Sequence, residues 1–243
     1  GKQTYSVINL YNIKKHTTKT LTRNSRYYAP SLHPTLDNIV AVEVTANLSS
    51  RIIVLNSKSG NIIDSIPPIS DTHLQQPRYN KDGTKIIAIA VSEKGTNLIQ
   101  FDVPSKRYEY LLEWANQQLD RPTYSDKSIV FKANYDGIDN IYSQSAQGKI
   151  TKLTNATFGA FNGIVDKNGD ILYNDYQANG YKIAKISLDS IGSYQHIERP
   201  FYLKPTIQKL INEPKVHVDS IDETQLINDY KAINNIINFH SSS

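Results

Sequence analysis

A serine and a histidine lie three residues apart in the segment Ile191-Gly-Ser193-Tyr-Gln-His196, which raises the question of nucleophilic catalysis. A serine peptidase holds its hydroxyl out from a sharp strand-to-helix turn, usually Gly-x-Ser-x-Gly, so that the hydroxyl meets its base and an oxyanion hole. No second glycine and no helix-forming run follow Ser193, and Gly-x-Ser-x-Gly occurs nowhere in the sequence. We therefore predict a loop here and no catalytic residue in the chain.

Metal chemistry is the next possibility, because the sequence contains six histidines and one turn rich in side-chain oxygens. Histidine sites for metals favour two ligands at i and i+4 on a helix, or close together on paired strands. The turn at 134–140, Asn-Tyr-Asp-Gly-Ile-Asp-Asn, lacks the alternating acidic positions and the final glutamate of a calcium loop. The six histidines are isolated from one another, so we predict no metal and no cofactor: His16, His33, His73, His196, His217 and His240.

Side chains that could contact a ligand without catalysing a reaction are easier to identify. Trp114, the single tryptophan, could anchor a ligand or cap a gap between packed sheets. The oxygen-rich turn adds Tyr135, Asp136 and Asp139 as candidate binding residues. Paired carboxylates for glycoside chemistry stay open, because such pairs are defined by a spatial separation of about 5 to 9.5 Å.

Composition narrows the class of protein. The chain has 243 residues, 39% of them hydrophobic, a mean hydropathy of −0.47 and no apolar run near the roughly 20 residues of a membrane-spanning helix. Its 27 basic and 23 acidic residues give a net charge of +4 that is spread along the sequence, so we predict no nucleic-acid binding. Cysteine is absent, which excludes disulfides and thiolate chemistry. The chain contains no methionine and no signal-peptide pattern, and we expect it to be a piece of a longer protein.

A repeat of about 45 residues organises these candidates. Pro77-Arg-Tyr79 is followed by an Asp-Gly turn and an Ile/Val-rich strand, and Pro122-Thr-Tyr124 opens a similar series 45 residues later. Pro30 stands 47 residues before Pro77. A period of 40 to 45 residues with short strands and Asp/Gly turns is typical of a β-propeller blade. The sequence predicts an all-β fold, a partial propeller of about four to five four-stranded blades.

The two ends of the repeat region are incomplete. Tyr5–Thr22 contains only an outer strand pair, and its ending, Leu21-Thr22, recurs at Leu153-Thr154. The fourth blade begins near Phe158 and lacks the proline of the other blades. We predict a propeller domain at 3–200 and an irregular or weakly helical C-terminal tail at 201–243. We favour a ring that stays open at Tyr5–Tyr11 over one closed by residues after 190.

The blades also resemble a known family. The pattern consists of a proline, an aromatic residue two positions later, an Asp-Gly turn, an apolar strand and then Asp136-Gly137-Ile-Asp-Asn140-Ile-Tyr142. This pattern is similar to the TolB-like propeller repeat of bacterial envelope proteins. The resemblance covers roughly residues 3–200, and Arg121–Thr154 matches best. The resemblance is specific for the fold but not for the function, because propellers of this type include binding scaffolds, peptidase accessory domains and carbohydrate-active enzymes.

What the resemblance implies is a non-catalytic scaffold that binds a protein or peptide. Such a scaffold would be one module of a larger protein in the periplasm, or on the periplasmic face of the outer membrane, of a Gram-negative bacterium. The tail around Tyr230–Ser241 is similar to segments that precede an outer-membrane β-barrel domain. The alternative is the accessory propeller of a prolyl-oligopeptidase-like serine peptidase, with its catalytic domain outside this chain.

Overall fold

The computed structural model describes residues 5–187, and within them every regular element is a β-strand. No helix in this range is long and apolar enough to cross a membrane. The strands are β1 (Asn9–Asn12), β2 (Thr17–Thr20), β3 (Tyr27–Leu32), β4 (Asn38–Val44), β5 (Ser50–Asn56), β6 (Ile62–Ile66), β7 (His73–Tyr79), β8 (Lys85–Ser92), β9 (Gly95–Asp102), β10 (Tyr108–Tyr110), β11 (Asp120–Tyr124), β12 (Ser128–Ala133), β13 (Asn140–Ser145), β14 (Ile150–Lys152), β15 (Ala160–Val165), β16 (Ile171–Gln177) and β17 (Gly180–Ile186).

Each sheet is an antiparallel meander of strands that follow one another in the sequence. The first sheet is β3-β4-β5-β6, the second is β7-β8-β9-β10 and the third is β11-β12-β13-β14. The fourth sheet, as far as it is described, is β15-β16-β17, and β1-β2 form a two-stranded sheet before the first. Because neighbours in sequence pair directly, short turns are enough to connect them.

The sheets pack face to face in chain order. One buried apolar cluster joins the first and second sheets, another the second and third, and a third cluster the third and fourth. β1-β2 pack on the first sheet through a cluster that includes Ile8 and Leu21. The first strands of successive sheets contact one another: β3 contacts β7, and β7 contacts β11. These strands therefore lie at a common inner edge. This is the arrangement of propeller blades around an axis.

The first strand of each of these four sheets has the same irregularity. Its register with the second strand shifts around a residue whose φ is between 47° and 56°: Ala29, Gln76, Arg121 and Asn162. Proline follows in three sheets, where its missing N–H falls at an interrupted part of the ladder. In the fourth sheet Gly163 takes this place, and a Cβ there would lie 3.1 Å from two carbons of Ile141. Close packing on the third sheet therefore disfavours a residue with a Cβ, proline included, at this position.

The hydrogen bonds that hold the strand pair β1-β2 have the same pattern as those of the outer strand pair of the third sheet, β13-β14. Leu21 N donates to Ile8 O at 2.8 Å, and Ile8 N donates to Thr22 Oγ1 at 3.0 Å. The same two bonds join Leu153 to Ile141 at 2.8 Å and Ile141 to Thr154 at 2.9 Å. The shared Leu-Thr ending therefore marks equivalent positions, and the prediction of an outer strand pair at Tyr5–Thr22 is confirmed.

The all-β propeller prediction is confirmed for the described residues. The second and third sheets are consecutive four-stranded blades, with Asp82-Gly83 and Asp126-Lys127 in equivalent first turns. The first strand of the fourth sheet begins at Ala160, two residues after Phe158, and β1 is limited to Asn9–Asn12. The tail at 201–243, the segment around Ser193 and any pairing by residues after 190 lie outside the described residues. The domain boundary near residue 200 stays a prediction.

Candidate binding site

The turn between β12 and β13 carries three of the predicted binding residues, and the structure shows what its carboxylates contact. Asp139 Oδ1 lies 2.7 Å from Lys132 Nζ, and the Lys132 side chain is only 9% exposed. Asp136 Oδ2 accepts a hydrogen bond from Lys152 Nζ. Both carboxylates are therefore neutralised by lysines of the same blade, which fixes the shape of the turn.

Tyr135 lies inside the cluster shared by the second and third sheets and is 8% exposed. Its ring contacts the ring of Tyr142 edge-on at 4.8 Å and that of Phe131 at 6.4 Å. This position suits packing between blades rather than contact with a ligand. Among the described residues, no group of three or more His, Cys, Asp or Glu side chains is arranged to hold a metal ion.

Trp114 follows β10 and packs, partly buried, against the cluster shared by the first and second sheets. Its ring meets Tyr110 edge-on at 5.0 Å, and Tyr110 meets Tyr108 at 5.6 Å. Tyr108 and Tyr110 remain exposed on the outer rim. Of the two interpretations of Trp114, the packing position agrees with a cap over the gap between blades, and a role in binding stays a prediction.

An open cleft of about 860 Å³ lies between the second and third sheets. Its walls are the first turns of both sheets, the outer strands of the second sheet, and the turn at 145–148 between β13 and β14. None of the four predicted binding residues lines it. A volume of this size is within the range of sites that hold small ligands or short peptide segments.

A chain of hydrogen bonds runs along one side of the cleft. The Tyr124 hydroxyl donates to Gln100 Oε1 at 2.9 Å, and Gln100 Nε2 donates to Glu109 Oε1 at 2.8 Å. Burial raises the pKa of Tyr124 above its ordinary value, and the charges of Glu109 and Asp82 add to this effect. The direction of the bonds leaves Glu109, at the exposed end, as the acceptor.

Gln144 bridges the two blades at the inner wall of this cleft. Its Nε2 donates to Leu111 O at 2.6 Å, which orients the amide. Its Oε1 is buried without a hydrogen-bond partner, and the residue is 6% exposed. A buried acceptor without a partner costs about 1–3 kcal/mol of folding free energy, so such atoms are rare in native proteins. A donor that reached this oxygen would remove that cost.

The rim of the cleft carries charges of both signs. Lys81, in the first turn of the second sheet, lies 3.3 Å from Asp126, in the first turn of the third. Both side chains are largely exposed, so this pair contributes little to stability. Lys85, Lys127, Asp82 and Glu109 complete the charged lining. With three basic and three acidic side chains, the cleft has no excess of either sign.

Sequence reasoning missed the residues of this cleft, although one signal for them was available. Gln144 is opposite Ile129 on one side and Ile150 on the other, where two apolar neighbours predict a third apolar residue. Gln100 likewise interrupts an apolar strand between Ile99 and Phe101, on the opposite face from both. A polar side chain on the packed face of a strand needs a partner in the next blade, and the sequence does not say which.

Replacing Tyr124 with phenylalanine is expected to make the protein less sensitive to alkali. The pKa of Tyr124 is raised in the folded state, so the folded protein keeps this proton at a pH where the unfolded chain has lost it. Its contribution to stability is full below the unfolded value of about 10 and is lost as the pH rises above it. Urea unfolding at pH 9 and pH 11 should show that the free energy of unfolding falls less between these two pH values in Y124F than in wild type. The variant Y181F, at an exposed tyrosine, should behave as wild type, and equal losses in all three proteins would contradict the prediction.

Comparisons with known proteins support the fold and leave the site unassigned. No family model matches the chain, and no curated protein matches it. Among solved structures, TolB from Acinetobacter baumannii superposes with a TM-score of 0.65 at 16% identity, over 76% of this chain and 47% of that one.

Two enzyme structures are also similar. Oligogalacturonate lyase from Vibrio parahaemolyticus has a TM-score of 0.58 at 13% identity, over 76% of this chain and 57% of the lyase. A puromycin-hydrolysing peptidase from Mycobacterium tuberculosis has a TM-score of 0.56 at 12% identity, over 76% of this chain and 34% of the peptidase. The chain thus matches less than two thirds of each of these proteins. At such identities the likeness shows the fold alone.

Proposed function

We propose that this chain, whose fold is that of a TolB-like β-propeller, is a non-catalytic scaffold that binds a protein or a peptide. It would act as one module of a larger envelope protein in the periplasm, or on the periplasmic face of the outer membrane, of a Gram-negative bacterium. The likeness to TolB from Acinetobacter baumannii and the resemblance of the repeat to envelope proteins support this location.

The cleft between the second and third sheets is the observation that carries the binding proposal. It is open, about 860 Å³ in volume, and lined by turns held on rigid antiparallel sheets. Loops presented by a rigid framework are suited to recognition because little conformational entropy is lost on binding. The mixed charges and the hydrogen-bonding groups of the lining suit the polar backbone and side chains of a peptide.

The test is an array of 15-residue peptides probed with the purified full chain, followed by measurement of the dissociation constant of each bound peptide. A substitution that fills the cleft, Ala146→Trp, should weaken binding at least about 10-fold, which corresponds to about 1.4 kcal/mol. Ala146 is an exposed residue in the 145–148 turn, so the substitution leaves the core unchanged. The matched control is Lys94→Trp, in the exposed turn between β8 and β9 at the other end of the strands.

Three results would count against this function. The array could detect no bound peptide, or Lys94→Trp could weaken binding as much as Ala146→Trp does. Alternatively, the purified chain could hydrolyse peptide or ester substrates in a reaction that a point substitution within it abolishes.

The alternative function is that of an accessory propeller attached to a serine peptidase. The likeness to the puromycin-hydrolysing peptidase, of which this chain spans about a third, is the observation that favours it. The sequence that follows Ser243 in the complete gene distinguishes the two. A Gly-x-Ser-x-Gly motif there would favour the peptidase, and a series of alternating strands of about 10 residues would favour an outer-membrane barrel.

A further inference from the structure

We propose that the cleft between the second and third sheets takes up an arginine side chain of an extended peptide, with Glu109 as its charged partner. This inference rests on the proposed function, because it names the chemistry that the scaffold recognises. It concerns Glu109 and Gln144, which belong to different blades and both line this cleft.

Glu109 provides the negative charge of the site. It lies in the short outer strand β10, its side chain is exposed, and no lysine or arginine among the described residues forms an ion pair with it. Gln100 Nε2 already donates to Glu109 Oε1 at 2.8 Å, which holds the carboxylate in place. The remaining lone pairs of this carboxylate are available to a cationic donor.

Gln144 provides a second acceptor close to the first. Its amide is bound to the carbonyl of Leu111, two residues after Glu109. Residues two apart along extended chain are about 6.6 Å apart. Gln144 and Glu109 both line the same cleft, and the Oε1 of Gln144 has no partner there. This oxygen is buried, so binding requires a rotation of the Gln144 side chain that releases its bond to Leu111 O.

An arginine side chain fits this pair of acceptors better than other groups do. Its planar guanidinium carries five N–H donors, enough to pair with a carboxylate and still donate to a neighbouring amide oxygen. The apolar stem of arginine would pack on Leu111 and Ile129, which also line the cleft. A lysine ammonium has a single donor centre and cannot address both acceptors with the same geometry. Lys85 and Lys127 at the rim suit the carbonyl groups of the peptide backbone.

The experiment measures binding of two fluorescein-labelled peptides to the full chain by fluorescence anisotropy. The probes are Gly-Gly-Arg-Gly-Gly and the same peptide with citrulline, which has nearly the shape of arginine without its charge. We expect the citrulline peptide to bind wild type about 10-fold more weakly, or worse, than the arginine peptide. Glu109→Gln should weaken binding of the arginine peptide by a similar factor and leave the citrulline peptide unchanged.

Controls separate a contact with the ligand from a purely structural effect. Glu93→Gln removes one charge from an exposed glutamate in the β8–β9 turn and should bind both probes as wild type does. Gln144→Leu removes the second acceptor, and the loss of arginine binding should exceed any loss of citrulline binding. If Gln144→Leu fails to fold, Glu109→Gln decides the matter alone, because Glu109 is exposed.

Equal affinity of wild type for the two probes, or an unchanged affinity of Glu109→Gln for the arginine peptide, would overturn the inference. A failure of the proposed function is distinguishable from this outcome. If peptides on the array bind at the cleft without any preference for arginine, the scaffold function stands and the arginine site is wrong. If the array detects no peptide and neither probe binds, the scaffold function and the arginine site are both wrong.

Discussion

Replacing Gly60 with alanine is expected to lower the free energy of unfolding by at least about 3 kcal/mol, because the added Cβ both strains the backbone and collides with Leu21. Gly60 follows β5 with a φ of +79°, a left-handed conformation that side chains with a Cβ rarely adopt. A Cβ placed there would lie 2.1 Å from the carbonyl oxygen of Leu21 and 3.2 Å from its Cγ. Leu21 belongs to the cluster that attaches β1-β2 to the first sheet. The substitution should therefore also detach this strand pair.

Gly148 provides the matched control, because its φ is +80° and nothing lies within 4 Å of the position a Cβ would take. Alanine there incurs only the conformational cost, about 1–2 kcal/mol. Urea unfolding of both variants, followed by circular dichroism, measures the difference that is due to the contact with Leu21. Equal losses of stability in G60A and G148A would show that β1-β2 do not pack on the first sheet as described.

Replacing Asn140 with alanine is expected to lower the free energy of unfolding by about 2–4 kcal/mol. Asn140 has no exposed surface. Its Oδ1 accepts from the Thr154 hydroxyl at 2.8 Å and from Ala156 N at 2.9 Å, and its Nδ2 donates to Ile138 O at 3.3 Å. Alanine leaves these groups without partners and opens a small cavity between the end of the third sheet and the start of the fourth.

Asn155 is a suitable control, because it is an exposed asparagine next to Thr154. Its replacement by alanine should change the free energy of unfolding by no more than about 0.5 kcal/mol. The two variants are compared by urea unfolding at neutral pH. A loss in N140A as small as that in N155A would mean that the Asp-Gly-x-x-Asn motif is a turn signal without a structural role for its final residue.

Local patterns were sufficient to predict the strands and their order. The prolines at 30, 77 and 122 mark the bulge in the first strand of three sheets, and Asp82-Gly83 marks a turn that its own side chains and backbone stabilise. The repeated Leu-Thr endings marked two equivalent hydrogen-bond pairs. Each of these features depends on residues close in sequence or on a period, and both can be detected without coordinates.

Predicted ligand contacts were harder to obtain, because they depend on what a side chain meets in the folded protein. Asp136 and Asp139 resemble free oxygen ligands in the sequence, yet Lys152 and Lys132 neutralise them. Tyr135 resembles an exposed turn residue and is buried between two blades. A lysine 16 residues away in sequence is as close in space as a neighbour once the strands pair, and the sequence pattern does not contain that information.

The class of fold follows from the sequence, because alternation, turn chemistry and period act within one blade and need no knowledge of the next. The position of a binding site depends instead on how the blades pack together. The cleft exists because Gln144 of the third sheet reaches the Leu111 carbonyl beside the second, while Tyr124 and Gln100 join the same two sheets. These contacts depend on the face-to-face packing of separate blades, and that packing is set by apolar burial, which is not directional and therefore leaves no pairing signal in the sequence.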